Sequence, residues 1–165
     1  IEDMPVLIPF GVDQDPHFRI TRDVAPKINK PKPALIHNIM IPALGGPKGK
    51  MSASNENETI YTTDSPEVVR NKINKYAFSG GQPDIEEHRK KGGNPDIDVS
   101  FQYLRIFFEP DDKKLQQIYD DYKSGKMLTG ELKEILIEKI NKFLAIHQQK
   151  REDARSQLDE FLFKD

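Results

Sequence analysis

The chain has 165 residues, with 25 Lys+Arg against 27 Asp+Glu and no cysteine. That length holds one ordinary domain or two small ones with a real core, and the missing thiols exclude a disulfide framework, a thiolate metal site and a cysteine nucleophile. The net charge of −2 divides evenly, 7 basic and 8 acidic residues through Asp64 and 18 and 19 beyond it, so no overall field announces a nucleic-acid partner.

The chain opens at Ile1, not at a methionine, and runs at once into apolar sequence, which suggests a segment of a longer protein. Residues 4–12 hold Val6-Leu7-Ile8 and Phe10 and read as a strand ending in the polar run Asp13-Gln14-Asp15-Pro16. A helix is predicted over residues 17–25, closed by Pro26 and followed by Pro31 and Pro33. The apolar run 34–41 between Pro33 and Pro42 is a second strand. Strand, helix, strand is the pattern of a parallel α/β sheet, whose ligands bind beyond the carboxyl ends of the strands. Asp13 and Gln14 stand at one such end.

From residue 65 onward the period is helical. Ser65 caps a helix with Pro66 at its first position and Val69, Ile73, Tyr76 and Ala77 on one stripe. A short helix at 85–91 stops at Gly92-Gly93, and residues 99–108 are apolar enough to be buried on most sides. Leu115, Ile118, Tyr119 and Tyr122 form another stripe. Thr129 is predicted to cap a long helix with Leu132, Ile135, Leu136, Ile140, Phe143 and Leu144 inward; a last segment has Ala154, Leu158, Phe161 and Leu162. No apolar run nears the roughly 18 residues of a membrane span and no secretory leader is visible, so no membrane partner is expected; the absence of cysteine fits a reducing compartment such as the cytoplasm.

The run Lys50-Met51-Ser52-Ala53-Ser54 carries the chemistry, approached through a flexible Gly45-Gly46-Pro47-Lys48-Gly49 segment. A lysine flanked by hydroxyls, on backbone that can close, suits a phosphate-handling loop; a surface loop with a chance lysine between serines has the same composition. Asp15 reads as a helix cap, whereas Gln14, a poor cap, is free to bind substrate. The four histidines, His17, His37, His88 and His147, form no i, i+4 pair, so no structural metal is expected. No nucleophile elbow, Walker loop or dinucleotide fingerprint is present. Basic groups at Arg70-Lys72-Lys75, Arg89-Lys90-Lys91 and Lys150-Arg151 are interleaved with acids and read as solvated helix faces, with a polyanion contact open if they converge.

Taken together, residues 8–26 (IPFGVDQDPHFRITRDVAP), 32–44 (KPALIHNIMIPAL), KMSAS, 76–104 (YAFSGGQPDIEEHRKKGGNPDIDVSFQYL) and 128–133 (LTGELK) resemble the tryptophanyl-tRNA synthetases of the eukaryotic cytosolic type, class I enzymes. The resemblance implies a C-terminal portion of a Rossmann-type catalytic domain at 1–64 and a helical anticodon-binding domain at 65–165. It implies activation of tryptophan with ATP and Mg2+ to an adenylate, then transfer to tRNA(Trp), by an enzyme that is a homodimer at full length. Lys50 matches the lysine that assists pyrophosphate departure, Ser52 and Ser54 the loop positions near the phosphates, and Met51 the residue behind the adenine. Gly11 and Asp13 match the nucleotide side and Gln14 the amino-acid side. Ala53 stands where many class I relatives carry a second lysine, so the loop charge rests on Lys50. The His-x-Gly-His element of the class is missing, since no two histidines stand three apart; the chain alone is therefore expected to be inactive. Two alternatives stay open: a tyrosyl-tRNA synthetase of the same subclass, and a helical RNA-binding or protein-interaction module with a vestigial loop.

Overall fold

The computed structural model describes residues 4–52 and 54–161, except for the side chains of Pro47, Lys48, Lys50 and Asp159. Ala53 of the signature run and Leu162 of the expected last stripe lie outside the described residues. The chain forms two compact units, Ile1–Ile41 and Pro42–Asp165. By packing, residues 42–64 go with the helices, so the break in the fold precedes the change of pattern at Asp64.

In the first unit, β1 (Leu7–Gly11) and β2 (Ala34–Asn38) pair in parallel, in register from Leu7 opposite Ala34 to Gly11 opposite Asn38. Parallel strands need a crossover, and here it is a 3-10 turn at Val12–Gln14, helix α1 (Asp15–Val24) and a second 3-10 turn at Ala25–Ile28. The helix starts two residues earlier than the pattern predicts because Pro16 falls in its first turn, where no backbone donor is required. Asn29, in the left-handed region at φ 54°, turns the chain back toward β2. Buried Phe10 is the local core, 4.5 Å from the Phe18 ring and 4.7 Å from that of His37. The unit is short of cover: Leu7 is 58% exposed, Ile20 64% and Ile39 71%. Parallel strands are normally covered on both faces, and two strands bury too little to stand alone.

The second unit opens with an antiparallel pair, β3 (Pro42–Ala43) and β4 (Gly46–Lys50), with Pro42 opposite Lys50 and an irregularity between Pro42 and Ala43. After a 3-10 turn at Glu56–Glu58 come α2 (Pro66–Tyr76), α3 (Ile85–Lys91), α4 (Val99–Tyr103), which runs into a π turn at Leu104–Phe108, then α5 (Asp112–Lys123), α6 (Thr129–Arg155) and α7 (Leu158–Phe161). Side-chain caps start four of these helices: Ser65, Asp84, Asp98 and Asp111 each accept from backbone N–H groups of the first turn. The core joins Leu44, Val69, Ile73, Val99, Leu104, Tyr122, Leu132, Leu136 and Ile137, with α6 packed on α2, α4 and α5.

Three expectations fail here. Thr129 does not cap α6: Leu128 holds that position, its N–H donates to the Glu131 carboxylate at 2.6 Å, and the Thr129 hydroxyl turns inward to Tyr122. Phe143 is 54% exposed because it lies on the rim of the α6 stripe, and Ile137 takes an inward place instead. Leu158 and Phe161 are exposed as well, on a helix of four residues at the end of the described chain. No described helix is long and apolar enough to cross a membrane.

A polar hub lies inside the helices. Asp98, fully buried, accepts from the N–H of Gly80 (2.9 Å) and of Ser100 (2.9 Å) and from the Tyr122 hydroxyl (2.8 Å). Burial, with the Asp98 charge beside it, pushes the Tyr122 phenol up to about 12. His88 Nε2 meets the Met127 carbonyl at 2.9 Å; a carbonyl can only accept, so Nε2 carries the proton.

Candidate functional site

The sequence-derived site residues fall into two groups, one in each unit. The first stands at the carboxyl end of β1. Gly11 is the last residue of the ladder, opposite Asn38, and a Cβ placed on it would meet Asp13 Oδ1 at 2.9 Å and Met40 Sδ at 3.1 Å. The glycine thus leaves room for the Asp13 carboxylate to fold back over the strand end. Gln14 follows in the 3-10 turn, exposed, at the N-cap position of α1 with no side-chain capping bond. Its side chain makes no capping bond, in keeping with a residue unsuited to capping.

Asp15 is not a cap, contrary to expectation. It is the first residue of α1, and its carboxylate takes Nε2 of His37 at 2.8 Å and Nε of Arg19 at 2.5 Å. The hydrogen bond from His37, reinforced by Arg19, holds the Asp15 carboxyl below its ordinary range. His37 was legible in the sequence only as a lone histidine; its register opposite Phe10 brings it over the start of α1. Asn38 donates to the Phe10 carbonyl at 3.3 Å, tying the two strand ends together just before Gly11.

The second group is the KMSAS run. Its approach is a strand, not the open segment expected: residues 46–50 pair with Pro42 and Ala43, so the backbone of Lys50 is fixed in β4. The half-buried Met51 follows. Ser52 then closes a short turn: its hydroxyl donates to Ser54 Oγ (3.2 Å), the Ser54 N–H points back to Ser52 Oγ (3.4 Å), and the Asn55 N–H donates to the Ser52 carbonyl (3.2 Å). The two backbone donors are spent within the turn, which leaves two exposed, rotatable hydroxyls side by side whose protons can swing outward to an anion.

The hairpin is anchored firmly to the helices. Fully buried Leu44 accepts from the Phe78 N–H at 2.7 Å and donates to the Glu58 carbonyl at 3.1 Å. The Tyr103 hydroxyl donates to the Pro42 carbonyl at 2.6 Å, and burial pushes that phenol far up. A cleft of about 530 Å³ opens beside the hairpin, lined by Ala43, Gly45, Glu58, Phe78 and Ile97 among others.

Most of the basic groups are already engaged. Arg70 pairs with Glu134, Lys91 with Glu87, and Arg89 donates to the carbonyls of Gly125 and Lys126. Lys72 departs furthest from a solvated face, being 13% exposed and bound to Asp64 at 2.7 Å. Among the described residues, no group of three His, Cys, Asp or Glu side chains stands close enough to hold a metal ion.

Comparison with known proteins identifies the family. Residues 2–145 match the profile of the tRNA synthetases class I (W and Y). The tryptophan--tRNA ligase of Sulfurisphaera tokodaii is 59% identical over 157 residues, covering 95% of this chain and 41% of that protein. The cytoplasmic tryptophan--tRNA ligase of Homo sapiens is 54% identical over 156 residues, 94% of this chain and 33% of that protein. The crystal structure of tryptophanyl-tRNA synthetase from Aeropyrum pernix superposes with a TM-score of 0.86 at 39% identity, covering 92% of this chain and 42% of the other. The chain spans about two fifths or less of the length of the curated relatives it matches. Archaeal and eukaryotic cytosolic proteins are both among these relatives, so the resemblance is wider than the eukaryotic type alone. The chain belongs to the class I tRNA synthetases of the tryptophan and tyrosine type, and its likeness within that family is to the tryptophan enzymes.

Proposed function

We propose that this chain is the C-terminal portion of a cytoplasmic tryptophan--tRNA ligase, which activates tryptophan with ATP and then esterifies tRNA(Trp). Residues 1–64 supply the strand-end and signature-loop part of the catalytic site, and residues 65–165 the anticodon-binding helices. The donor turn at Ser52 and Ser54, held on a hairpin anchored at Leu44 and Pro42, carries the reading.

Charge builds on the departing pyrophosphate as the tryptophan carboxylate attacks the α-phosphate. Lys50, delivered by the hairpin, meets that charge, with the Ser52 and Ser54 hydroxyls donating to the same oxygens. A cation and donors aimed where charge develops stabilise the transition state more than the bound substrate. Met51 backs the adenine, Gly11 and Asp13 line the nucleotide, and the uncommitted Gln14 amide reaches the amino acid. Mg2+ arrives with ATP as part of the substrate. The phosphate-gripping His-x-Gly-His element comes from elsewhere in the enzyme, and so does the surface that pairs the two subunits. The chain by itself therefore forms no adenylate.

Separate titrations of tRNA(Trp) and ATP against the chain test this. Salt-sensitive tRNA binding with weak ATP binding is the expected result, as phosphate contacts release counterions. Binding of neither would contradict the proposal and favour a protein-interaction module. Tryptophanyl-adenylate made by the isolated chain would overturn its inactivity.

A further inference from the structure

We propose that Thr59, Lys72 and Asp64 form a buried clamp that positions the Ser52 end of the signature loop for adenylate formation. The inference rests on the reading of that loop as the pyrophosphate-handling element. The Thr59 hydroxyl, on a residue 6% exposed, donates to the Ser52 carbonyl at 2.6 Å. Lys72, on α2, donates from Nζ to the Thr59 carbonyl at 2.8 Å and to Asp64 Oδ2 at 2.7 Å. Asp64 Oδ2 also accepts the Tyr61 N–H at 2.9 Å, and the ammonium lies 4.7 Å from the centre of the Tyr61 ring. From the other side, the Gln148 amide on α6 donates to the carbonyls of Thr62 (3.0 Å) and Asp64 (3.1 Å).

The returning limb, residues 54–64, has a single 3-10 turn among its described residues; the Leu44 N–H holds its Glu58 carbonyl, and these side chains hold it on either side of that point. An ammonium and a carboxylate at 13% and 12% exposure are a poor way to gain stability, because desolvation offsets most of their attraction. What the pair supplies is direction. Lys72 fixes the Thr59 carbonyl, and the Thr59 hydroxyl fixes the Ser52 carbonyl, two positions beyond Lys50. The helices thereby determine where the loop returns, and with it where the Lys50 ammonium arrives when ATP is bound. These are positioning residues; none is placed against substrate.

The test is tryptophan-dependent ATP–pyrophosphate exchange in the complete synthetase carrying this chain, with Thr59→Val, Thr59→Ser, Lys72→Met and Lys50→Ala, each also followed by thermal melting. A misplaced loop should lower kcat about ten- to a hundredfold in Thr59→Val and Lys72→Met, with KM for tryptophan unchanged. Thr59→Ser, which keeps the hydroxyl, should recover most of the rate. If Thr59→Val and Lys72→Met lower only the melting temperature, or change nothing, while Lys50→Ala still slows exchange, the clamp is refuted and the loop assignment stands. If Lys50→Ala is itself without effect, the loop assignment fails and the clamp falls with it.

Discussion

The Asp98 hub permits a graded prediction. Asp98→Asn keeps one oxygen to cap α4 through the Ser100 and Phe101 N–H groups, at 2.9 and 3.3 Å in the native chain. Its amide nitrogen, however, then faces the Gly80 N–H, donor against donor, where the carboxylate accepted at 2.9 Å. The Tyr122 hydroxyl can rotate to accept from the amide, so one buried donor is left unpaired. An unpaired buried donor costs roughly 1–3 kcal/mol, and we expect a loss of about 2 kcal/mol. Asp98→Ala also removes the cap, worth about 1 kcal/mol, and deprives Tyr122 of its shortest partner; the expected loss is about 4 kcal/mol. Both changes remove the charge that opposes the burial-driven fall in the Lys133 pKa. Urea unfolding followed by far-ultraviolet circular dichroism reads these differences as midpoint shifts at constant slope. The order native, Asn, Ala with steps of comparable size supports the hub. Equal losses under about 1 kcal/mol in both variants would show that Asp98 is not the acceptor on which these donors depend.

Three further outcomes are expected. Gly92 sits at φ 72°, and a Cβ placed there would lie only 1.8 Å from the Lys123 carbonyl oxygen, so Gly92→Ala should cost about 3 kcal/mol in urea unfolding, whereas Gly130→Ala, where nothing lies within 4 Å, should cost nothing. For Glu109, burial pushes the carboxyl up, but Lys139, the Asp111 N–H and Lys114 outweigh it and leave the pKa below its ordinary 4.5. That depressed value contributes stability above about pH 4.5 which is lost as pH falls through it; the stability gap between the native chain and Glu109→Gln should close in acid, and a gap independent of pH would contradict the ion-pair account. The raised Tyr122 pKa acts in the opposite range: its contribution is intact below about pH 10 and is lost as pH rises toward about 12, so an ultraviolet titration should lose a late-ionising phenol in Tyr122→Phe.

Much of this fold is legible in the residues. The two strands, their crossover helix and the Ser65-Pro66 start of α2 follow from local apolar runs and capping chemistry, which act over a few residues. The hairpin strand was not legible: Gly46-Pro47-Lys48-Gly49-Lys50 has no alternation and little strand propensity, and it is a strand only because Pro42 and Ala43 supply a partner ladder. Periodicity likewise marks Phe143 as part of the α6 stripe without saying where that stripe ends. Lys72 reads as one of three cations on a solvated face, and only the return of residues 59–64 over α2 buries it. The Asp98 hub joins residues 79, 80, 98, 122 and 129, too far apart in sequence for any local pattern to reveal. Of the site itself, the residue types and their order were visible; the anchoring of the loop was not.

The role proposed for the signature lysine is to bear the charge of pyrophosphate departure. By analogy with the loss of one preorganised donor, Lys50→Ala should cost about 3 kcal/mol of activation, a fall of about a hundredfold in tryptophan-dependent ATP–pyrophosphate exchange by the complete synthetase carrying this chain. Tryptophan binding should stay at its native level. An exchange rate within a factor of about two of native, where the barrier has moved by less than ~0.5 kcal/mol, would contradict the account.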